Sequence, residues 1–187
     1  MGHRERRKRE KENLKQKILE SALKIASEDG WEKVTVRDIS NKIEYTTSVI
    51  YGHFRGKDEI FTELRKSGFR ELFHKLEKVL SQNLNPEDKL LNLSLISWDF
   101  ACDNPELYRL MFTMGKPSDM DATKSIALIK DVIAEFTGKK SPEVELLVLN
   151  WSCLRHGCIN LMQMADTGLD QREVYKQFIL RFISSIK

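Results

Sequence analysis

Helix-start signals recur along this chain wherever an apolar stripe begins, and strand-type alternation is scarce. Thr35-Val36-Arg37-Asp38 has the form of a capping box, and Asp170 to Glu173 is another. Asn85-Pro86-Glu87, Asn104-Pro105-Glu106 and Ser141-Pro142-Glu143 each place a cap, a first-turn proline and an acid near the positive end of a helix dipole. Behind each signal the apolar residues repeat at helical spacing. The chain is therefore expected to be all-α.

The stripes predict nine helices. The first covers about Glu10 to Glu28, with Leu14, Ile18, Ala22 and Ile25 on one face and Gly30 at its end. Two short ones follow, Val36 to Ile43 and Thr47 to His53, the second capped by Thr46. A long helix opens at Gly56-Lys57-Asp58-Glu59 and runs to about Leu80. Further helices begin at Asn85 and Asn104, span Asp121 to Phe136, and run from Glu143 to Ala165 with a stop at Gly168. The last carries Val174, Phe178, Phe182 and Ile186 as its expected core stripe.

Charge divides the chain at the same place as the helix pattern. Residues 1–60 hold 14 Lys/Arg and 11 Asp/Glu, while residues 61–187 hold 17 of each, so the whole net charge of +3 lies in the first third. It is densest in Arg4, Arg6, Arg7, Lys8, Arg9 and Lys11, which read as a basic arm able to reach nucleic acid or another anionic surface. A frayed, solvated terminus is the bland reading of the same run. Three cysteines without close pairing fit a reducing compartment, and no apolar run approaches the roughly 20 residues of a membrane span. A cytoplasmic protein is expected.

Two short helices joined by a tight turn make a helix-turn-helix candidate. Val36, Ile39, Ile43, Val49, Ile50 and Phe54 can lock the pair to the preceding helix. Thr46, Thr47 and Ser48 are small and polar, as a helix end set against base edges requires, and Arg37, Tyr51, His53 and Lys57 can hold phosphates around it. By pattern alone, an ordinary helical hairpin competes with this reading.

Ile18-Leu19, Ala22, Gly30, Thr35-Val36-Arg37-Asp38-Ile39 and Tyr51-Gly52-His53-Phe54, followed by Lys57-Asp58-Glu59, resemble the N-terminal signature of TetR/AcrR-type transcriptional regulators. Order and spacing match over about residues 14–64. The resemblance implies a three-helix DNA-binding head (1–56) with its basic arm, and a six-helix C-terminal regulatory and dimerisation domain (57–187). It implies a homodimer on a near-palindromic operator, released by an effector that changes the separation of the heads. It also implies that Arg37, Thr46, Thr47, Ser48, Tyr51, His53 and Lys57 contact DNA. The turn departs from the usual Ala-Gly-Val-Ser, reading Ile43-Glu44-Tyr45-Thr46, and Ser48 stands where Gly is frequent. A left-handed Glu44 would cost about 1–2 kcal/mol relative to Gly, and Tyr45 could donate to the backbone instead. Asn104 to Phe112 and His156-Gly157 resemble one branch of TetR-type C-terminal domains.

The helix from Glu143 is apolar nearly all round, through Leu146, Leu147, Val148, Leu149, Trp151, Leu154, Ile159 and Leu161, and so needs burial on more than one side. A second subunit can supply the outer side, with Tyr175, Ile179 and Ile183 of the last helix joining the interface. A central helix within a monomer is the rival. For a small apolar or amphipathic effector, Trp98, Phe112, Trp151 and His156 are the candidate lining residues, against plain core packing. Cys153, His156 and Cys158 lack the common face and the fourth ligand that a metal site needs, and no phosphate loop or nucleophile elbow is present, so no cofactor is expected. The function expected is a ligand-released repressor. An activator or ligand-independent binder of the same fold is the alternative, and a helical enzyme or membrane-surface protein the remote one.

Overall fold

The computed structural model describes residues 2–114, 120–164 and 168–187. Among them are nine α-helices and one 3-10 turn, with no strand. These are α1 (His3–Asp29), α2 (Val36–Ile43), α3 (Thr47–Tyr51), α4 (Lys57–Leu80), α5 (Pro86–Asp103), α6 (Pro105–Phe112), α7 (Met120–Thr137), α8 (Glu143–Met164) and α9 (Gln171–Ser185), with the 3-10 turn at Trp31–Lys33. The expected end of α8 at Ala165 lies outside the described residues. No described helix is long and apolar enough to cross a membrane.

The caps do what their sequences ask. Thr35 accepts the Asp38 amide at 3.1 Å, Asn85 accepts that of Asp88 at 2.8 Å, and Asp170 accepts those of Arg172 and Glu173, both at 3.1 Å. Thr46 differs: its side chain makes no capping bond to α3. The first helix differs more, because it starts at His3 instead of about Glu10, so the basic arm is helical.

The chain forms two compact units that divide within α4, one comprising residues 1–68 and 106–115, the other 69–105 and 116–187. The boundary expected after Gly56 marks the start of α4. In the first unit α1 packs on α2, and α2 on α3. Ile18, Ala22, Val34, Ile39, Ile50 and Ile60 are fully buried at its centre, with Trp31 set edge-on to Phe61 at 4.9 Å. Helix α6 belongs to this unit and lies so close to α4 that a Cβ at Gly68 would meet the Met111 sulfur at 2.5 Å.

The second unit is a bundle in which α5 packs on α7, α8 and α9, and α8 also packs on α7 and α9. Trp151 donates to the Ser94 hydroxyl at 2.9 Å, and Tyr175 donates to the Ser94 carbonyl at 3.0 Å while stacking on Trp98. These bonds reverse one expectation. Tyr175, Ile179 and Ile183 are the fully buried stripe of α9, not its outer edge. Phe178 is 37% exposed, with Val174 and Phe182 half-buried, while Ile186 of the expected stripe is buried. The two stripes are one residue apart, a rotation of about 100°, and both are equally periodic. The hydrogen bond that the phenol of Tyr175 finds inside the bundle selects between them.

Candidate nucleic-acid interface

A five-residue helix has too few internal hydrogen bonds to persist by itself, so the first unit must hold α3 from outside. It does so through Ile50, which is fully buried, and Phe54, at 2% exposure, both buried in the same unit as Ile18, Ile39 and Ile43. The amides of His53 and Phe54 both bond the Ile50 carbonyl at 2.9 Å, closing the end of the helix. With Ile50 and Phe54 turned inward, Thr46, Thr47, Ser48 and Tyr51 stand in solvent, Tyr51 at 58% exposure.

The turn before α3 is made by a backbone reversal at Glu44, with φ 62° and ψ 41° in the left-handed region. The Tyr45 amide returns to the Ser40 carbonyl at 3.0 Å and the Glu44 amide to that of Asn41 at 3.2 Å. Lys17, on α1, holds the same place: its ammonium donates to the Ile43 carbonyl at 3.3 Å and sits 5.4 Å from the centre of the Tyr45 ring. Tyr45 thus acts through its ring face; among the described residues its hydroxyl makes no backbone bond. Glu44→Gly is expected to stabilise the first unit by about 1 kcal/mol in urea titration, because Gly adopts this conformation without steric cost.

The expected phosphate ligands fall into two kinds. Arg37 is exposed on α2. Lys57 is half-buried and anchored, donating to the Trp31 carbonyl at 3.5 Å with its ammonium 5.2 Å from the Phe61 ring centre. His53 is half-buried; burial, with the charges of Lys11 and Lys15 near it, lowers its pKa and favours the neutral imidazole. It therefore offers a neutral hydrogen-bonding group beside α3. Arg55, exposed just after Phe54, is a further cation at this edge that the motif does not mark. Its charge adjoins the signature residues, but no spacing rule singles it out.

The geometry is an exposed polar edge on a short helix locked by a turn to α2. Residues 18–64, the segment that builds it, match the family model of bacterial regulatory proteins of the tetR family. This head is similar to that of the TetR family. Along its length it is 25% identical over 179 residues to the HTH-type transcriptional repressor NicS of Pseudomonas putida, covering 92% of this chain and 84% of the relative. It is 26% identical over 120 residues to the HTH-type transcriptional regulator YobS of Bacillus subtilis, covering 63% of this chain and 62% of that protein's own length. Two solved structures share its fold: the ketosteroid transcriptional regulator KstR2 of Mycobacterium tuberculosis, with TM-score 0.70 and 18% identity over 93% of this chain and 95% of that one, and the TetR family regulator PfmR of Thermus thermophilus, with TM-score 0.69 and 20% identity over 91% and 98%. The fold and the matched head are thus TetR-like, and the chain spans less than two thirds of the length of YobS.

The four candidate effector residues do not share one unit. Phe112 belongs to the first, half-buried and 4.6 Å from the Tyr108 ring centre. Trp98, Trp151 and His156 belong to the second, where Trp98 is 4% and Trp151 1% exposed. Arg155 is also buried, its guanidinium 4.6 Å from the Trp151 ring centre and Nη2 2.9 Å from His156 Nε2. Burial, then the Arg155 charge, pushes His156 down from 6.5 to about 3.

The lowered folded-state pKa sets the sign of a pH effect. Below pH 6.5 the unfolded chain takes up a proton at residue 156 that the folded chain refuses, so stability falls as pH drops from about 6.5 toward 3. The His156 contribution approaches about a tenfold loss in the folding constant per pH unit. His156→Gln is expected to flatten this slope between pH 6.5 and 5, where the carboxylates are still ionised. Urea titrations at several pH values read it.

Proposed function

We propose that the chain is a ligand-released homodimeric repressor whose α3 enters the major groove of a near-palindromic operator. The observation that carries this reading is the polar edge of α3, with Thr46, Thr47, Ser48 and Tyr51 exposed above an inward-facing Ile50. Thr46, Thr47 and Ser48 face base edges, while Arg37, Tyr51, His53 and Lys57 hold phosphates on either side. Lys57 suits this role because its anchorage to the Trp31 carbonyl reduces the rotamer freedom it would lose on binding.

The second unit supplies the dimer surface. On α8, Val144, Trp151, Arg155 and Ile159 form the buried stripe, and Leu146, Leu149 and Leu161 stand exposed away from it, at 60%, 58% and 70%. With Phe178 of α9 they give an apolar surface suited to a second copy of the same surface. A small amphipathic effector is proposed for the second unit near His156 and Trp151, where a buried guanidinium lies beside aromatic walls. Its binding would favour a dimer state with altered head separation and so release DNA.

Gel-shift titration of duplex DNA tests the reading. Arg37→Ala combined with Lys57→Ala should weaken binding by about tenfold or more and lower its salt dependence, with the dimer intact by sedimentation. Unchanged affinity in that variant would contradict the assignment. A wild-type dimer with no salt-sensitive affinity for its own promoter region would contradict the function.

A further inference from the structure

The segment preceding the matched head is a helix with a one-sided charge pattern. The family match begins at residue 18, which is also the first buried position of α1. Every described residue before Leu14 is exposed, and His3–Asn13 extends the helix by about 16 Å at 1.5 Å per residue. At 100° per residue, Arg4, Arg7, Lys8, Lys11 and Lys15 fall within an arc of about 100°. Glu5, Glu10 and Glu12 all lie outside that arc.

Glu10 pairs with Arg6 at 2.8 Å, off the stripe. Arg4, Arg7, Lys8 and Lys11 make no ion pair among the described residues. The stripe also shares its azimuth with Ile18, Ala22 and Ile25, the face that α1 turns toward the rest of its unit. Its last member, Lys15, sits 5.8 Å from the ring centre of Phe54, three residues beyond α3, and pairs with Glu63 at 2.6 Å. The cations therefore lead away from the end of α3 in a line.

We propose that this projecting part of α1 is a second DNA-contacting element, whose stripe of Arg4, Arg7, Lys8 and Lys11 grips backbone phosphates next to the segment read by α3. The inference rests on the operator-binding reading above. Four unpaired cations repel one another, and those of the first turn also oppose the positive end of the helix dipole. A polyanion relieves both effects. Lys15 is held by Glu63 and fixes where the stripe leaves the unit. The element adds affinity without base readout, because phosphates carry no sequence identity.

Two double variants with equal loss of charge test it: Arg7→Gln with Lys11→Gln on the stripe, and Arg6→Gln with Arg9→Gln off it. Both are made in the intact 187-residue chain, and binding is measured against salt on a duplex that the wild-type protein selects from a random pool. The stripe variant should lower the slope of log K against log salt by about 0.9 for each phosphate no longer neutralised by a subunit, about 2 per subunit in all. It should keep the same base preference, and the off-stripe variant should stay near wild type. Equal slopes in wild type and stripe variant would overturn the proposal while leaving α3 recognition intact. Equal losses in both variants would also overturn it, as would a stripe variant that loses binding to anionic phosphatidylglycerol vesicles but not to DNA. If the wild-type protein selects no duplex, the operator-binding reading fails as well.

Discussion

Ile50→Ala is expected to cost about 2–5 kcal/mol of the first unit's stability and to lose sequence-specific duplex binding almost entirely. Ile50 is fully buried, so the substitution opens a cavity beneath the one buried side chain of the five-residue α3. Its carbonyl accepts the amides of both His53 and Phe54, and any shift of residue 50 moves that closure too. The adjacent substitution separates fold from function. Tyr51→Ala, at a position 58% exposed, should change stability by less than about 0.5 kcal/mol, yet lower DNA affinity through loss of the phosphate contact proposed for its phenol. Urea unfolding and duplex titration on both variants read the two effects. Equal stability losses at 50 and 51 would mean that the inward and outward faces of α3 are wrongly assigned.

Trp151→Ala should destabilise the second unit by about 3–5 kcal/mol. The indole is 1% exposed, and its N–H supplies the bond to the Ser94 hydroxyl, which itself donates to the Leu90 carbonyl at 2.8 Å. Removing the ring also uncovers one face of the Arg155 guanidinium, which lies against it. Trp151→Phe retains much of the volume but not the donor, and should cost less. Urea denaturation of the three proteins measures the order. A Phe variant as damaged as the Ala variant would show that the hydrogen bond, not the packed ring, dominates.

Much of the head can be read from residue order because its signals are local. A capping threonine, a following aspartate and an apolar spacing lie within a few positions of one another, and α2 forms where they say. The left-handed turn is legible at Glu44 for the same reason. Its support is not: Lys17 reaches the Ile43 carbonyl and the Tyr45 ring from a helix 26 residues earlier, and nothing near either residue announces it. Anchorage of Lys57 by the Trp31 carbonyl is equally non-local.

Helix α9 shows a second limit. Tyr175-Ile179-Ile183 and Val174-Phe178-Phe182 are both good helical stripes, and hydrophobicity does not rank them. The choice depends on α5, which presents the Ser94 carbonyl and the Trp98 ring to Tyr175. The basic arm fails in the other direction. A run of cations looks like a solvated coil by composition, whereas the i,i+4 pair of Arg6 with Glu10 is a helix signal within it. The effector residues are the least legible, since aromatic side chains at helical spacing serve a core and a cavity equally well. Trp98 and Trp151 are packed in the bundle of the second unit, and Phe112 is in the first.

Selection of duplexes from a random pool by the intact chain tests the central claim most directly. Operator binding through α3 predicts enrichment of a near-palindromic sequence with half-sites about one helical turn or more apart, roughly 10 base pairs or a multiple, and no such enrichment with Ile50→Ala. A pool that stays unenriched with a folded, dimeric wild-type protein would contradict it.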